Sequence, residues 1–296
     1  MSTAALVALV ALLQAAAPLQ KSSVAEDAGK LAAATTNEGR FDALTALLRE
    51  RGLTFTVEPF TLDNAIGREP RTQGRNVVVS LGSGSDVVVI GAHYDAVRLA
   101  DGSLSKGAVD NAASSAILVR VAEELRADQL SIRVRIVWFD MEELGLVGSA
   151  RYVKEHSSDR IVAMFNFDIN AYGNTVVYGP SEMKENAALR QLVVQTCASQ
   201  DVPCVPFPQM PPGDDRSFVK GGIPAVSVGI VSAVEAHQIW LMFNAGQGIT
   251  ALPGPPPAIL KTIHTADDTV DKLDPGTMAQ MQRYILNLIR RGLQRP

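Results

Sequence analysis

Histidine is scarce in this chain, with four residues in 296. A stock that small makes each position informative, because histidine is the commonest metal ligand and a frequent acid–base group. Cysteine is scarcer still: Cys197 and Cys204 flank ASQDVP, and their spacing is not that of a zinc site. They stand close enough to bridge across a turn, and in an exported protein they could form one disulfide, whereas two independent buried thiols are the better reading for a cytosolic chain. Positive charge is in deficit, with a net charge of −4 and an isoelectric point near 5.6. That argues against nucleic acid or an anionic membrane surface as partner. No internal repeat is visible, and no linker is long enough to separate two domains. The apolar run Ala4–Leu13 stops at ten residues, well short of the roughly 20 that cross a bilayer.

That run fits the central segment of a secretory signal, and AAAP (Ala15–Pro18) offers small residues after it. Against this stand the lack of Lys or Arg before the run and the proline after the most obvious cleavage point. A short apolar helix packed on the domain is the alternative. The expectation is export, to the periplasm or the medium, with no stable membrane association; without a signal the protein would be cytoplasmic. Residues 1–36 read as this segment plus a mobile Ala/Ser/Thr-rich stretch, and residues 37–296 as one domain.

What is present is apolar. Residues of that kind make up 47% of the chain, enough for a sizeable core. RFDALTALLRERG (Arg40–Gly52) has helical periodicity and a glycine stop, and LTFTVEPF reads as a strand. RNVVVSL and DVVVIGA are β-branched runs separated by GSGS, which predicts a hairpin. VDNAASSAILVRVAEELRA predicts an amphipathic helix from about Asp110. The strands IRVRIVWF, IVAMFNFDI, TVVYG and IPAVSVGI alternate with the helices LVGSARYVKEH, NAALRQLVVQTCA and GTMAQMQRYILNLIRRGL. LPGPPP (Leu252–Pro257) reads as a surface loop within the domain. This alternation predicts a single α/β domain with a mixed, mostly parallel sheet flanked by helices on both faces.

In such sheets ligands bind beyond the carboxyl ends of the strands, and polar residues collect there. His93, Tyr94 and Asp95 follow one strand, Glu142 and Glu143 another, and Asp168 a third. Asp110 and Asn111 open a helix, and His264 comes late, in TIHTADDT. Each has a bland reading: a helix cap for Asp110, a hydrogen-bonded histidine, a solvated acidic turn. Five such coincidences on one sheet edge are hard to reconcile with it. His, Asp and Glu without thiolate suit Zn²⁺, with Co²⁺ or Mn²⁺ as substitutes. If Asp110 bridges two ions, one also receives His93 and Asp168, and the other Glu143 and His264. Each then keeps an open coordination position. Glu142, pointing elsewhere than its neighbour, would serve as general base. Asp95 would accept the second imidazole N–H of His93, and Tyr94 would pack.

With these residues assembled, the chain resembles the M28 family of zinc metallopeptidases, the co-catalytic aminopeptidases. The resemblance runs from about Asn76 to Asp274 through GAHYDAV, GAVDNAAS, FDMEELGLVGSARY, NFD, GIPAVSVG and HTADDT. It implies a phosphorylase/hydrolase-like fold, two zinc ions, and hydrolysis of a residue from a peptide with a free N-terminus. It places metal ligands on His93, Asp110, Glu143, Asp168 and His264, and the base on Glu142. Two departures concern the substrate. Many members carry SDH where this chain has GDDRSF (Gly213–Phe218), and Ile263 stands where some place a tyrosine that stabilises the oxyanion. Arg216, His237 and Tyr172 are candidates for the missing donor, with surface or core roles as alternatives. His156 reads as structural. Other readings stay open: a single-zinc glutaminyl cyclase, a carboxypeptidase or dipeptidase on the same scaffold, and a binding domain without catalysis. Oligomeric state is not legible.

Overall fold

In the computed structural model, residues 22–246, 252 and 254–292 are described. The apolar run Ala4–Leu13 lies outside them. Eight strands form one sheet: β1 (Thr56–Thr61), β2 (Gln73–Leu81), β3 (Asp86–His93), β4 (Arg133–Phe139), β5 (Arg160–Phe167), β6 (Thr175–Gly179), β7 (Cys204–Pro206) and β8 (Ala225–Val231). Their order across the sheet is β1-β2-β4-β3-β5-β8-β6-β7. The pairs β3/β4, β3/β5, β5/β8 and β6/β7 are parallel, and β1/β2, β2/β4 and β6/β8 are antiparallel. The expected mixed, mostly parallel α/β sheet is therefore present.

Alternation of side chains explains the near-continuous Val/Ile runs. Val88, Ile90 and Ala92 of β3, with Val134, Ile136 and Trp138 of β4, enter the larger core. Val87 and Val89, with Val137 and Phe139, enter the smaller one on the opposite face. A strand buried on both faces has no polar side to show. The helices α1 (Val24–Ala32), α3 (Ala113–Leu125), α5 (Ala187–Ser199) and α9 (Pro275–Gly292) cover the larger core. The helices α4 (Val147–Glu155) and α6 (Asp215–Lys220) cover the smaller. The larger core also takes Phe41, Leu44, Leu47 and Leu48 of α2 (Asn37–Glu50), Ala236 and Ile239 of α7 (Ala233–Asn244) and Ile259 of α8 (Ile259–Thr262).

Three sequence expectations change. No hairpin joins β2 to β3; both pair with β4, which lies between them. The GSGS segment straddles the start of that strand, with Ser83 N donating to Leu130 O at 3.4 Å. The stretch expected to be mobile contains α1, whose Ala28, Leu31 and Ala32 are buried. Its start is closed by a capping box between Ser23 and Glu26. The helix expected from Asp110 starts as regular α-helix only at Ala113, after a π-type turn over Ala108–Ala112. Cys197 and Cys204 are joined in a disulfide between α5 and β7, with Cα atoms 6.2 Å apart.

Candidate metal centre and active site

Parallel strands β3, β4 and β5 end on the same sheet edge, and each delivers an acid or histidine there. His93 is the last residue of β3. Asp168 follows β5 directly, and Glu142 and Glu143 lie three and four positions past the end of β4 at Phe139. Asp110 sits in the π-type turn with φ −117° and ψ 90°, and the residue at the cap position of α3 is Ala112, so Asp110 does not cap that helix. Positive φ angles at Met141 (57°), Ile169 (57°) and His264 (59°) turn the chain beside or at these residues. In that region a side chain costs about 1–2 kcal/mol, a strain that collects at functional sites.

The five expected ligands converge as two triads sharing Asp110: His93, Asp110 and Asp168, and Asp110, Glu143 and His264. His93 Nε2 lies 3.1 Å from Asp110 Oδ1 and 3.6 Å from Asp168 Oδ1. His264 Nε2 lies 3.1 Å from Asp110 Oδ2 and 3.0 Å from Glu143 Oε2. Two ligands each about 2.1 Å from a tetrahedral ion stand about 3.4 Å apart, so the separations suit a shared ion. The buried atoms His93 Nε2, Glu143 Oε1 and Asp168 Oδ1 have no hydrogen-bond partner among the described residues. Unpaired buried polar atoms are costly, and divalent cations would satisfy them. On these grounds the residues fit two metal ions.

The electrostatics carry the same signature. Burial first, then Asp110, pushes Glu143 up to about 7, against the pull of His264 and His93. Burial foremost, with Asp214, Asp168 and Glu143 behind it, raises Glu142 well above the usual carboxylate range, against His93. Hydrogen bonds to Asp110 and Glu143 raise His264 to about 11 despite its burial. Burial would lower His93, but Glu142, Asp110, Asp168 and Asp95 raise it instead. Without a cation, Glu142 and Glu143 draw protons, while, against its burial, hydrogen bonds from His264 and His93 hold Asp110 well below the usual carboxylate range.

Asp95 does more than the sequence suggested. The nearest acceptor to His93 Nδ1 is its backbone oxygen at 3.2 Å, with the carboxylate at 3.4 Å. A proton on Nδ1 leaves Nε2 free to face Asp110 and Asp168. The Asp95 carboxylate itself accepts from Glu142 N at 3.1 Å and Glu143 N at 3.2 Å. It thus holds the acidic pair by its main chain. Asp140 fixes the start of the same turn, accepting from Met141 N at 2.9 Å and from both ends of the Arg71 fork at 3.1 Å. Tyr94 packs, as expected, with its hydroxyl donating to Arg75 O at 2.9 Å.

The three candidate donors do not join the cluster. Arg216 is exposed and donates to Met210 O at 3.2 Å. His237 is exposed on α7. Tyr172 donates to Glu235 Oε1 at 2.8 Å. His156 lies in a separate group, 3.1 Å from Glu58 and 2.8 Å from Asp159. The departing loop contributes something the sequence did not single out. Asp214 and Asp215 are buried, and neither Asp214 carboxylate oxygen has a hydrogen-bond partner among the described residues. Burial pushes them up to about 7 and about 8. Sequence reasoning also missed Arg40, Asn37 and Asp268, whose hydrogen bonds hold the loops of the site. They act on backbone atoms, for which sequence has no spacing signal.

Beside Asp168 opens an apolar cavity of about 110 Å³. Phe207, Met210, Ile239, Met242, Phe243 and Ile263 are among its walls, with Ser227 as a polar group. Ile263, the residue found in place of a tyrosine, belongs to this wall and precedes His264.

Comparison with known proteins agrees with the geometry. A probable leucine aminopeptidase from Trichophyton verrucosum is 26% identical over 219 residues, 69% of this chain and 54% of that protein. The chain spans about half the length of the curated relatives it matches. Among solved structures, a zinc aminopeptidase from Bacillus subtilis superposes with a TM-score of 0.71 at 11% identity, covering 93% of this chain and 95% of that one. Glutaminyl cyclase from Porphyromonas gingivalis gives 0.70 at 18%, covering 90% and 96%. The family model for peptidase family M28 matches residues 76–289, a span that holds every residue of both triads, and the chain belongs to that family.

Proposed function

We propose that this protein is a two-metal exopeptidase that removes apolar residues from the free N-terminus of peptides. The observation that carries the reading is the pair of triads sharing Asp110, set beside an apolar cavity. His93, Asp110 and Asp168 would hold one ion, and Asp110, Glu143 and His264 the other; zinc suits this donor set. Two such ions, held there, would supply Lewis acidity to the scissile carbonyl and would activate water at neutral pH.

The chain's own residues supply the rest. Glu142 takes a proton from the attacking water as oxygen adds to the carbonyl carbon. It returns that proton to the departing amine nitrogen as the C–N bond breaks. Asp95 keeps Glu142 and Glu143 in their separate directions. The cavity takes the first side chain of the substrate, and burying a leucine-sized group contributes about 1.5–3 kcal/mol. Asp168 touches both the cavity and a triad, placing the substrate's first residue next to the reacting bond.

The test is release of free amino acid from leucyl and alanyl peptides with open or acetylated N-termini. Release should require the open N-terminus, favour leucine, stop on chelation and return with zinc. Indifference to chelation or to acetylation would overturn the reading. The fold likeness to glutaminyl cyclase supports a second reading, favoured by cyclisation of N-terminal glutamine without hydrolysis. The Cys197–Cys204 disulfide supports export, since such bridges persist in oxidising compartments. Cell fractionation checks this, and a cytosolic protein with reduced thiols would contradict it.

A further inference from the structure

Arg40 lies outside the matched residues 76–289, yet it is fully buried beside the metal centre. It projects from the first turns of α2, and all three donor nitrogens of its fork reach main-chain oxygens. Nε donates to Tyr94 O at 2.5 Å, Nη1 to Lys106 O at 2.8 Å and Nη2 to Gly107 O at 3.2 Å. Tyr94 stands between His93 and Asp95, and Gly107 is three residues before Asp110. One planar group therefore joins the segment that follows His93 to the loop that leads to Asp110. At their meeting point Gly107 has φ +49°, and a Cβ there would lie 2.9 Å from Ala96 Cβ. Only glycine lets the loops approach so closely without strain.

The Asp110 loop is gripped from its other side as well. Asp268, four residues past His264, accepts from Val109 N at 2.6 Å and Asp110 N at 3.2 Å. Ser105 Oγ donates to Thr265 O at 3.1 Å, tying the same loop to the segment after His264. Asn37 extends the grip of α2, donating to Ala96 O at 3.0 Å and accepting from Ala96 N at 2.9 Å.

Burial disfavours the charge of Arg40, while Asp95, Asp268, Asp110 and Glu143 favour it, so charge by itself does not require three contacts to carbonyls. Lysine would give the same charge as a point, without the planar fork that meets three carbonyls at once. The three carbonyl contacts therefore point to a role for the shape of the fork in addition to its charge. We propose that Arg40 is a positioning residue for the metal centre, fixing the spacing of His93 and Asp110, with Asp268 gripping the Asp110 loop from the opposite side. The proposal rests on the two-metal reading above.

Zinc affinity measured by competition with a chromophoric chelator tests it, alongside thermal melts, kcat and KM. Arg40→Lys keeps the charge and loses the fork; it should weaken zinc binding about 10–100-fold, as removal of an outer partner of a ligand does. kcat should fall with KM nearly unchanged, in a protein that still melts cooperatively. If Arg40 supplied only charge, Arg40→Lys would match the wild type and Arg40→Gln would bind zinc more tightly; that pattern overturns the proposal. Should the Arg40 variants fail to fold, Asp268→Asn decides. It should show the same weakening, and wild-type affinity there overturns the proposal too. A wild-type protein that binds no zinc would instead remove the two-metal reading itself.

Discussion

Two buried charge clusters in this protein have opposite designs. Around Asp27, wholly buried on α1, the partners are Arg51 at 3.0 Å, Arg120 at 2.7 Å and the Ser22 hydroxyl at 2.6 Å. Glu123 lies 3.5 Å from Arg51 and 3.9 Å from Arg120, so two carboxylates meet two guanidinia. Around Asp110 the carboxylates of Asp95, Glu142, Glu143 and Asp168 gather with two histidines and the Arg40 guanidinium. There the acids exceed the fixed positive charge, and three buried ligand atoms have no hydrogen-bond partner among the described residues. A cluster that neutralises itself joins helices. A cluster with a convergent surplus of carboxylate is built to receive cations, and that difference separates a structural site from a metal centre more clearly than burial does.

Substitutions can break the contrast. The largest effect is expected at Asp110→Ala, which removes a ligand from both triads: metal analysis should show both ions lost and turnover should vanish. Next, Glu142→Gln should lower kcat by about 10²–10⁴-fold with metal retained, the scale of a lost general base. Glu143→Gln, one residue away, should lose metal as well; equal metal content in the two variants would void the division of roles. Asp27→Ala strikes the other cluster and leaves two guanidinia buried without their shared partner. Urea melts should show a loss of about 3–5 kcal/mol, while the zinc content of the folded fraction stays at the wild-type level. The smallest change is expected at the cavity wall. Ile263→Ala should reduce the preference for leucyl over alanyl substrates by about tenfold, as small changes in an apolar pocket do. An unchanged ratio of kcat/KM values would place the first side chain elsewhere.

The same contrast explains what could be read before folding. The candidate ligands were legible because a parallel sheet gathers whatever follows its strands: His93, Glu143 and Asp168 end or follow β3, β4 and β5, and Asp110 comes shortly before α3, whereas His264 follows α8 and was legible from TIHTADDT alone. The hairpin was misread because RNVVVSL and DVVVIGA are buried on both faces, so local pattern does not choose their neighbour; β4 pairs with both. The helices α1 and α7 went unread, although Ser23–Glu26 and Ser232–Glu235 carry capping boxes that signal their starts. Alanine-rich composition concealed the first. Arg40 stayed out of view for another reason: its partners are carbonyl oxygens, which every residue has, and only the folded chain shows which it reaches. The Asp95 carboxylate stands 3.4 Å from the imidazole Nδ1, where the sequence puts it, and also accepts from the main chain of the acidic pair, a contact that residue spacing does not signal.

Metal content bears most directly on the shared Asp110. Purified protein, stripped by chelation and dialysed against limiting zinc, should titrate to two ions per chain, with both steps lost in Asp110→Ala. Saturation at one ion, or a second ion that survives Asp110→Ala, would contradict the bridged pair.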